Sequence, residues 1–386
     1  MNRRTTRKLL SLATLAAFCL ASGTSSLRAK ERAGKVLSDG TWIDHRVVEL
    51  PTPRVGPFVR LGNGTLLTVE ENQVYSSQDE GKSWQEYAKL SEWKGVGLNR
   101  CMLRTLKGTI LLTLHCMNDG GDPEPTEKSW DWDEATSDAP NARHPSYVIR
   151  SLDEGRSWGE PQKLHDDWTG DNSALIQTST GRVVLATMKL LHKPGRHSVL
   201  TYFSDDEGAT WQGSHVIDLG GVGHHGGISE AALEELRDGR LWMLIRTNWG
   251  KFWSAYSDDG GNSWRTIHPS RIDASSAPGF LRRLRSGRLV LVWNRRFPEG
   301  KSDYPLVGGD RQWSEVPVSN HREELSMAFS DDDGKTWTDP TVIARNKEEK
   351  LSYPYVFEVK PGKLWVTTIF QSKLHVALSE VDFVKP

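Results

Sequence analysis

The stretch Ser229–Trp264, SEAALEELRDGRLWMLIRTNWGKFWSAYSDDGGNSW, holds two extended runs around an Asp-Gly step at Asp238 and Gly239, then a third run ending in SDDGGNSW. Asp-Gly between alternating hydrophobics signals a tight hairpin, because the central residues of such turns take positive φ. On the second run Leu241, Met243 and Ile245 share one face, the period-2 pattern of a half-buried strand. The unit is thus a small antiparallel sheet. Glu230 stands where its hairpin begins and Arg246 where it finishes.

The ending Ser-x-Asp-x-Gly-x-(Ser/Thr)-Trp recurs as SQDEGKSW (77–84), SLDEGRSW (151–158), SDDEGATW (204–211) and SDDDGKTW (330–337). A second series of glycine turns lies at Gly64, Gly108, Gly181, Gly239, Gly287 and Gly362. Six turns and five boxes, with the central aspartates 74, 53, 53 and 73 residues apart, describe strand, turn, strand, strand, box, strand. Radially repeated four-stranded sheets protect their own edges. The predicted fold is therefore all-β, a six-bladed propeller of four-stranded antiparallel blades. The last turn has no box after it, so the N-terminal segment Trp42 to Glu49 is expected to complete the final blade. The longer stretches Met117 to Pro145 and Arg295 to His321 read as polar surface insertions.

Lys and Arg number 49 against 50 Asp and Glu, a formal charge of -1, which gives no overall pull toward nucleic acid. Residues 1–29 read as a signal peptide: Arg3, Arg4, Arg7 and Lys8 precede a short apolar run from Leu9 to Ala21. Residues 30–386 are then one exported propeller, secreted or periplasmic, with no membrane insertion and expected to be a monomer. Cys101 and Cys116 flank the turn at Gly108 and are placed for either a cross-strand disulfide or two buried thiols. No Cys/His spacing points to a metal, and nothing calls for a cofactor.

The boxes are turn fasteners, with Asp, Gly and Ser or Thr bonding locally and Trp packing between sheets. Chemistry is sought at the other end of each hairpin. Ten residues before the turn glycines stand Arg54, Asp171 and Ser352; nine before stand Glu230 and Tyr353; seven after stand Glu71, His115 and Arg246. In a propeller all of these crowd one mouth of the central channel, and convergent polar groups in a concavity mark a candidate site.

These residues carry a family resemblance. PRVGPFVRLGNGTLL, SEAALEELRDGRLWMLIR, NHREELSMAFSDDDGKTW and SYPYVFEVKPGKLWV together resemble the sialidase (neuraminidase) superfamily over the whole mature chain. The resemblance implies that Arg54, Arg246 and Arg322 bind a substrate carboxylate. It also implies that Tyr353, rather than Tyr355, is the nucleophile and Glu230 its base. Sialidases depart from the two-carboxylate pattern of glycosidases by using tyrosine. The implied activity is retaining hydrolysis of terminal sialic acid on glycans.

Two features depart from the family. Its Arg-Ile-Pro appears as Arg54-Val55-Gly56, with Pro57 one place late. The aspartate acid that the family carries on a first-blade loop has no counterpart in Glu70-Glu71-Asn72-Gln73-Val74-Tyr75. Asp171 is the preferred substitute. Glu71 is an alternative, although a glutamate near there in the family orients an arginine, and so are the insertion aspartates Asp119, Asp122, Asp131, Asp133 and Asp138. Two further readings stay open, a glycosidase or lyase acting on another acidic sugar such as a uronate, and a carbohydrate-binding propeller without catalysis.

Overall fold

A computed structural model describes residues 33–384 except 51, 91–99, 115–131, 310–313 and 372. The stretch around Asp238-Gly239 forms four antiparallel strands, Ile228–Glu235, Leu241–Thr247, Lys251–Ser257 and Thr266–Asp273, in the same order in space as in the chain. Five further blades repeat the plan. The innermost strands, from blade one to blade six, are Phe58–Arg60, Met102–Arg104, Asn172–Gln177, Ile228–Glu235, Phe280–Arg283 and Leu351–Lys360.

The half-buried strand expected at Leu241–Thr247 is buried on both faces. Leu241, Met243 and Ile245 pack with Val184 and Phe203 of blade three, while Trp242 and Leu244 pack with Leu281 and Leu291 of blade five. A blade between two neighbours has no solvent face, so alternation here selects a neighbour rather than water. Among the described residues the core accordingly forms six layers, one at each blade interface, with a smaller cluster of Ala139, Ala142 and Leu190 under the second-blade insertion.

Ring closure also differs from the expectation. Val47–Glu49 does complete blade six, pairing with His375–Ser379. Trp42–Asp44 instead pairs with Thr341–Arg345 on the outer edge of blade five. At the end of this strand Asp44 is buried and accepts hydrogen bonds from Arg46 N (3.0 Å), Nε (2.8 Å) and Nη2 (2.9 Å). This turn lets one short segment clasp two adjacent blades.

Each box fastens itself in the same way. In the first, Ser77 Oγ donates to Asp79 Oδ1 (2.8 Å), Gly81 N donates to Ser77 Oγ (2.8 Å), and Ser83 N and Oγ donate to Asp79 at 2.9 and 2.6 Å. The residue before the box glycine is left-handed, with φ of 60° at Glu80, Glu154, Glu207 and Asp333 and 69° at Gly260. Three of these side chains reach arginines near the turn end of an innermost strand: Glu80 to Arg60 (3.1 Å), Glu154 to Arg104 (3.0 Å) and Asp333 to Arg283 (2.8 Å).

In the second-blade insertion Asp138 is buried and accepts from Lys193 N (3.2 Å), with His192 Nδ1 2.8 Å away, which docks the loop on blade three. The fifth-blade insertion carries a small hairpin, Leu306–Val307 with Val318–Ser319. The signal-peptide residues, His115, Cys116, Asp119, Asp122 and Asp131 lie outside the described residues. Among the described residues no helix is long and apolar enough to cross a membrane.

Candidate active site

Glu230 and Tyr353 meet at the mouth opposite the boxes. Tyr353 Oη donates to Glu230 Oε1 at 2.7 Å. Neighbouring positions on a regular strand would point to opposite faces, and local backbone distortion removes that obstacle. The pairing of Ile228–Glu235 with Leu241–Thr247 shifts register between Ser229 and Ala231, so Glu230 is the extra residue of a β-bulge. Its φ is 22°, and that of Tyr353 is 57°. Non-glycine residues held at positive φ cost roughly 1–3 kcal/mol each and collect at functional sites.

Two buried guanidiniums surround the pair. Arg246 Nη1 donates to Glu230 Oε2 and lies 3.5 Å from Tyr353 Oη, while its Nη2 donates to Ser276 Oγ at 3.0 Å. Arg322 lies over the Tyr353 ring, 5.7 Å from its centroid. It donates to Asn320 Oδ1 (2.9 Å), Ser352 Oγ (3.3 Å) and Ser276 O (2.6 Å). The Glu230 and Arg246 side chains are only 7% and 5% exposed, a burial that would be prohibitive for either charge alone.

The electrostatics sort the acids. Burial pushes the Glu230 carboxyl up, but Arg246, the Tyr353 hydroxyl and Arg322 outweigh it, and the net shift is downward. Asp171 moves the other way, raised well above the carboxylate range by burial and by the charge of Glu230. Burial, then Glu230, also raises the Tyr353 phenol. Burial and Arg246 bring Arg322 down to about 10. The site therefore favours the charge on Glu230 and disfavours it on Asp171 and on the Tyr353 phenol. Carboxyls driven apart in this way can act as base and acid.

Asp171 and Tyr353 line one axial cavity of about 400 Å3, which also receives Arg100. Arg54 makes a different set of contacts: it pairs with Glu70 and lies over the Tyr75 ring, 3.7 Å from the centroid. Its partner is Glu70, not Glu71. Glu71 sits in the following hairpin turn at φ 50° with its side chain exposed, because the strand Leu66–Glu70 ends one residue earlier than the register count implied. Asp133 bonds its own loop, donors being Ala135 N (2.8 Å) and Thr136 Oγ1 (2.7 Å). Asp138 is likewise committed to docking. Tyr355 is a structural link between blades, accepting from Phe58 N (2.9 Å) and donating to Phe58 O (3.2 Å).

Ser276, Asn248 and His197 escaped the sequence reading. Ser276 contacts both Arg246 and Arg322 and donates to Asn248 Oδ1 at 2.6 Å. Asn248 in turn donates to His225 O at 2.8 Å. His197 and His225 lie 5.7 Å apart, and burial lowers both, His197 to about 4. Ser276 stands one place before the register that was compared, a signal too common to single out. Among the described residues no group of His, Cys, Asp and Glu is arranged to hold a metal.

The family model described as BNR repeat-like domain matches residues 132–366. The chain belongs to this family. Solved structures extend the likeness of this BNR-repeat propeller to almost the whole chain. A protein of unknown function from Dyadobacter fermentans is 16% identical, covering 88% of this chain and 98% of that one, with a TM-score of 0.58. A Hadza microbial sialidase is 16% identical over 86% of this chain and 66% of its own, with a TM-score of 0.56. The α-L-arabinanase of Penicillium chrysogenum, solved with arabinobiose, is 11% identical over 88% and 99%, with a TM-score of 0.53. No curated protein matches. At these identities the BNR-repeat chain shares the fold of sialidases and arabinanases, and its chemistry has to be argued from its own residues.

Proposed function

We propose that this BNR-repeat propeller is an exported retaining exo-glycosidase of sialidase type, acting on a glycan that ends in a carboxylate-bearing sugar. The observation that carries the reading is the 2.7 Å hydrogen bond from Tyr353 to Glu230 beside two buried guanidiniums. A binding protein has no need of a phenol and an ionised carboxylate held together at strained backbone positions. Arg246 and Arg322 present planar donors suited to a carboxylate, and the family resemblance adds Arg54 as a third.

A carboxylate on the anomeric carbon would repel an anionic nucleophile, and a neutral phenol avoids that repulsion. Glu230 takes the phenolic proton as Tyr353 Oη attacks the anomeric carbon, and the glycosidic C–O bond breaks. Protonated Asp171 donates its proton to the departing oxygen. In the second step the Asp171 carboxylate takes a proton from water as that water attacks the anomeric carbon. The tyrosyl C–O bond breaks and Glu230 returns its proton to the phenolate. Two inversions give net retention.

Fluorogenic sialoside hydrolysis by the wild type and Tyr353→Phe tests the reading. Release by the wild type and its loss in the variant are expected. Absence of release by both would remove sialic acid as the substrate and direct the assay to uronosides. Asp171 favours keeping that second substrate class, since it approaches from the innermost strand of blade three and not from a first-blade loop.

A further inference from the structure

The axial cavity does not end at the mouth. It runs inward between the innermost strands and is lined toward the turn face by Arg60, Arg104, Arg282, Arg283 and Arg285. With Arg100 nearer the mouth, six arginines line it against two carboxylates, Asp171 and Glu358. Burial, then the charge of Glu230, raises the Asp171 carboxyl and so disfavours its negative charge. Glu358 is engaged by backbone donors, Arg285 N (2.8 Å) and Gly362 N (2.9 Å). In a chain of formal charge -1 this is a local concentration of positive charge.

Arg100 is buried and donates to the carbonyls of Gly56 (3.2 Å) and Val69, and the other five arginines fall into two groups. Arg60, Arg104 and Arg283 are neutralised by the box residues Glu80, Glu154 and Asp333. The Arg282 and Arg285 side chains have no hydrogen bond or ion pair among the described residues, and both are exposed. Arg282 lies on the strand Phe280–Arg283, close enough to Tyr355 to oppose the upward shift that burial gives that phenol. Arg285 belongs to the turn at Gly287, where the cavity approaches the box face. Apolar walls at Phe280, Leu281 and Phe357 limit solvent screening, and a charged cleft of this kind focuses its field on small counter-ions. Phosphate and sulfate match guanidinium forks in shape and charge. At about 400 Å3 the cavity also falls in the range that accepts a small metabolite.

We propose that the turn-side half of the axial cavity is a binding site for a tetrahedral oxyanion, phosphate or sulfate, free or carried on a sugar-sized molecule, held by Arg282 and Arg285. The site is separate from the Tyr353–Glu230 mouth and stands whether or not the glycosidase reading survives.

Isothermal titration of the full chain with inorganic phosphate, and separately with a hexose 6-phosphate, tests it at ionic strength held constant with chloride. Saturable one-site binding is expected for wild type and for Tyr353→Phe. At least tenfold weaker binding is expected for the double variant Arg282→Gln/Arg285→Gln. Tighter binding of the sugar phosphate would assign the anion to a carried group, and equal or tighter binding of inorganic phosphate to the free ion. Unchanged affinity in the double variant overturns the proposal. So does a loss of binding confined to Arg246→Gln, which would place the anion at the mouth. The thermal transition in chloride checks that the double variant folds. If it does not, Arg285→Glu on the exposed turn decides: several-fold weaker binding supports the site, and wild-type affinity overturns it.

Discussion

The two ends of the blades are built on opposite plans. At the turn end the same box is repeated five times, its central aspartates exposed or half-exposed, and the hydrogen bonds those aspartates accept close within the box. At the mouth no residue is repeated around the ring. Glu230, Arg246, Arg322 and Tyr353 come from three blades, are buried or nearly so, and depend on partners more than a hundred residues away for the Tyr353–Glu230 bond. Repetition serves assembly, since each copy stabilises its own blade. Chemistry needs unlike groups at one point, and a ring of six unlike strand ends supplies them.

Substitutions at the two ends should therefore separate activity from stability. The largest effect is expected at Glu230→Gln, which removes the base and the counter-charge of Arg246. Its kcat on a productive glycoside should fall by about 10²–10⁴-fold. Its thermal transition should also drop, because breaking a buried ion pair costs about 3–5 kcal/mol. A variant that keeps full turnover would remove the distinction.

Trp264→Ala strikes the other plan. Trp264 is buried in the layer between blades three and four, and its Nε1 donates to Thr201 Oγ1 at 3.0 Å. Denaturant unfolding should show a loss of about 3–5 kcal/mol, with kcat per folded molecule unchanged.

Asp171→Asn sharpens the mouth. Turnover should fall by about 10²-fold on natural glycosides but far less on aryl glycosides, whose leaving group needs no proton. In the wild type, activity should fall as pH rises through the elevated Asp171 value, and that basic limb should vanish in the variant. The stability sign follows from the same shift. A carboxyl raised in the folded state costs stability as pH rises from its unfolded value through its folded one. Asp171→Asn should therefore melt higher than the wild type at neutral pH.

The smallest effect is expected at Asp332→Asn. Its hydrogen bonds from Thr336 and Ser330 hold the Asp332 carboxyl down at about 2, below the usual carboxylate range. That contribution is complete above the unfolded pKa and is lost as pH falls through about 2. The variant should melt slightly lower at pH 7, converge with the wild type in acid, and keep its kcat.

Legibility in the sequence followed the same division. Turns and boxes were readable because each is closed by neighbours along the chain: Asp79 meets Ser77 and Ser83, and Gly64 bonds Leu61. The N-terminal strand Val47–Glu49 was placed correctly by counting, but its neighbour Trp42–Asp44 was not, since nothing local separates one blade edge from the next. Register counting also put Glu230 and Tyr353 at one level. It could not see the bulge that turns Glu230 inward, and it misread Glu71 for Glu70 because a strand end can move by one residue without altering the pattern.

By itself, then, the sequence of this chain determined a six-bladed propeller and the end of it where unlike polar residues collect. Both follow from hydrogen bonds and strand periods that act over a few residues. Only the tertiary structure decided that Leu241–Thr247 has no solvent face, that Ser276 contacts both arginines, and that Arg282 and Arg285 face a common cavity. The reason is geometric: closing six sheets around an axis brings together residues from different blades, and no spacing along the chain records which side of a strand faces that axis.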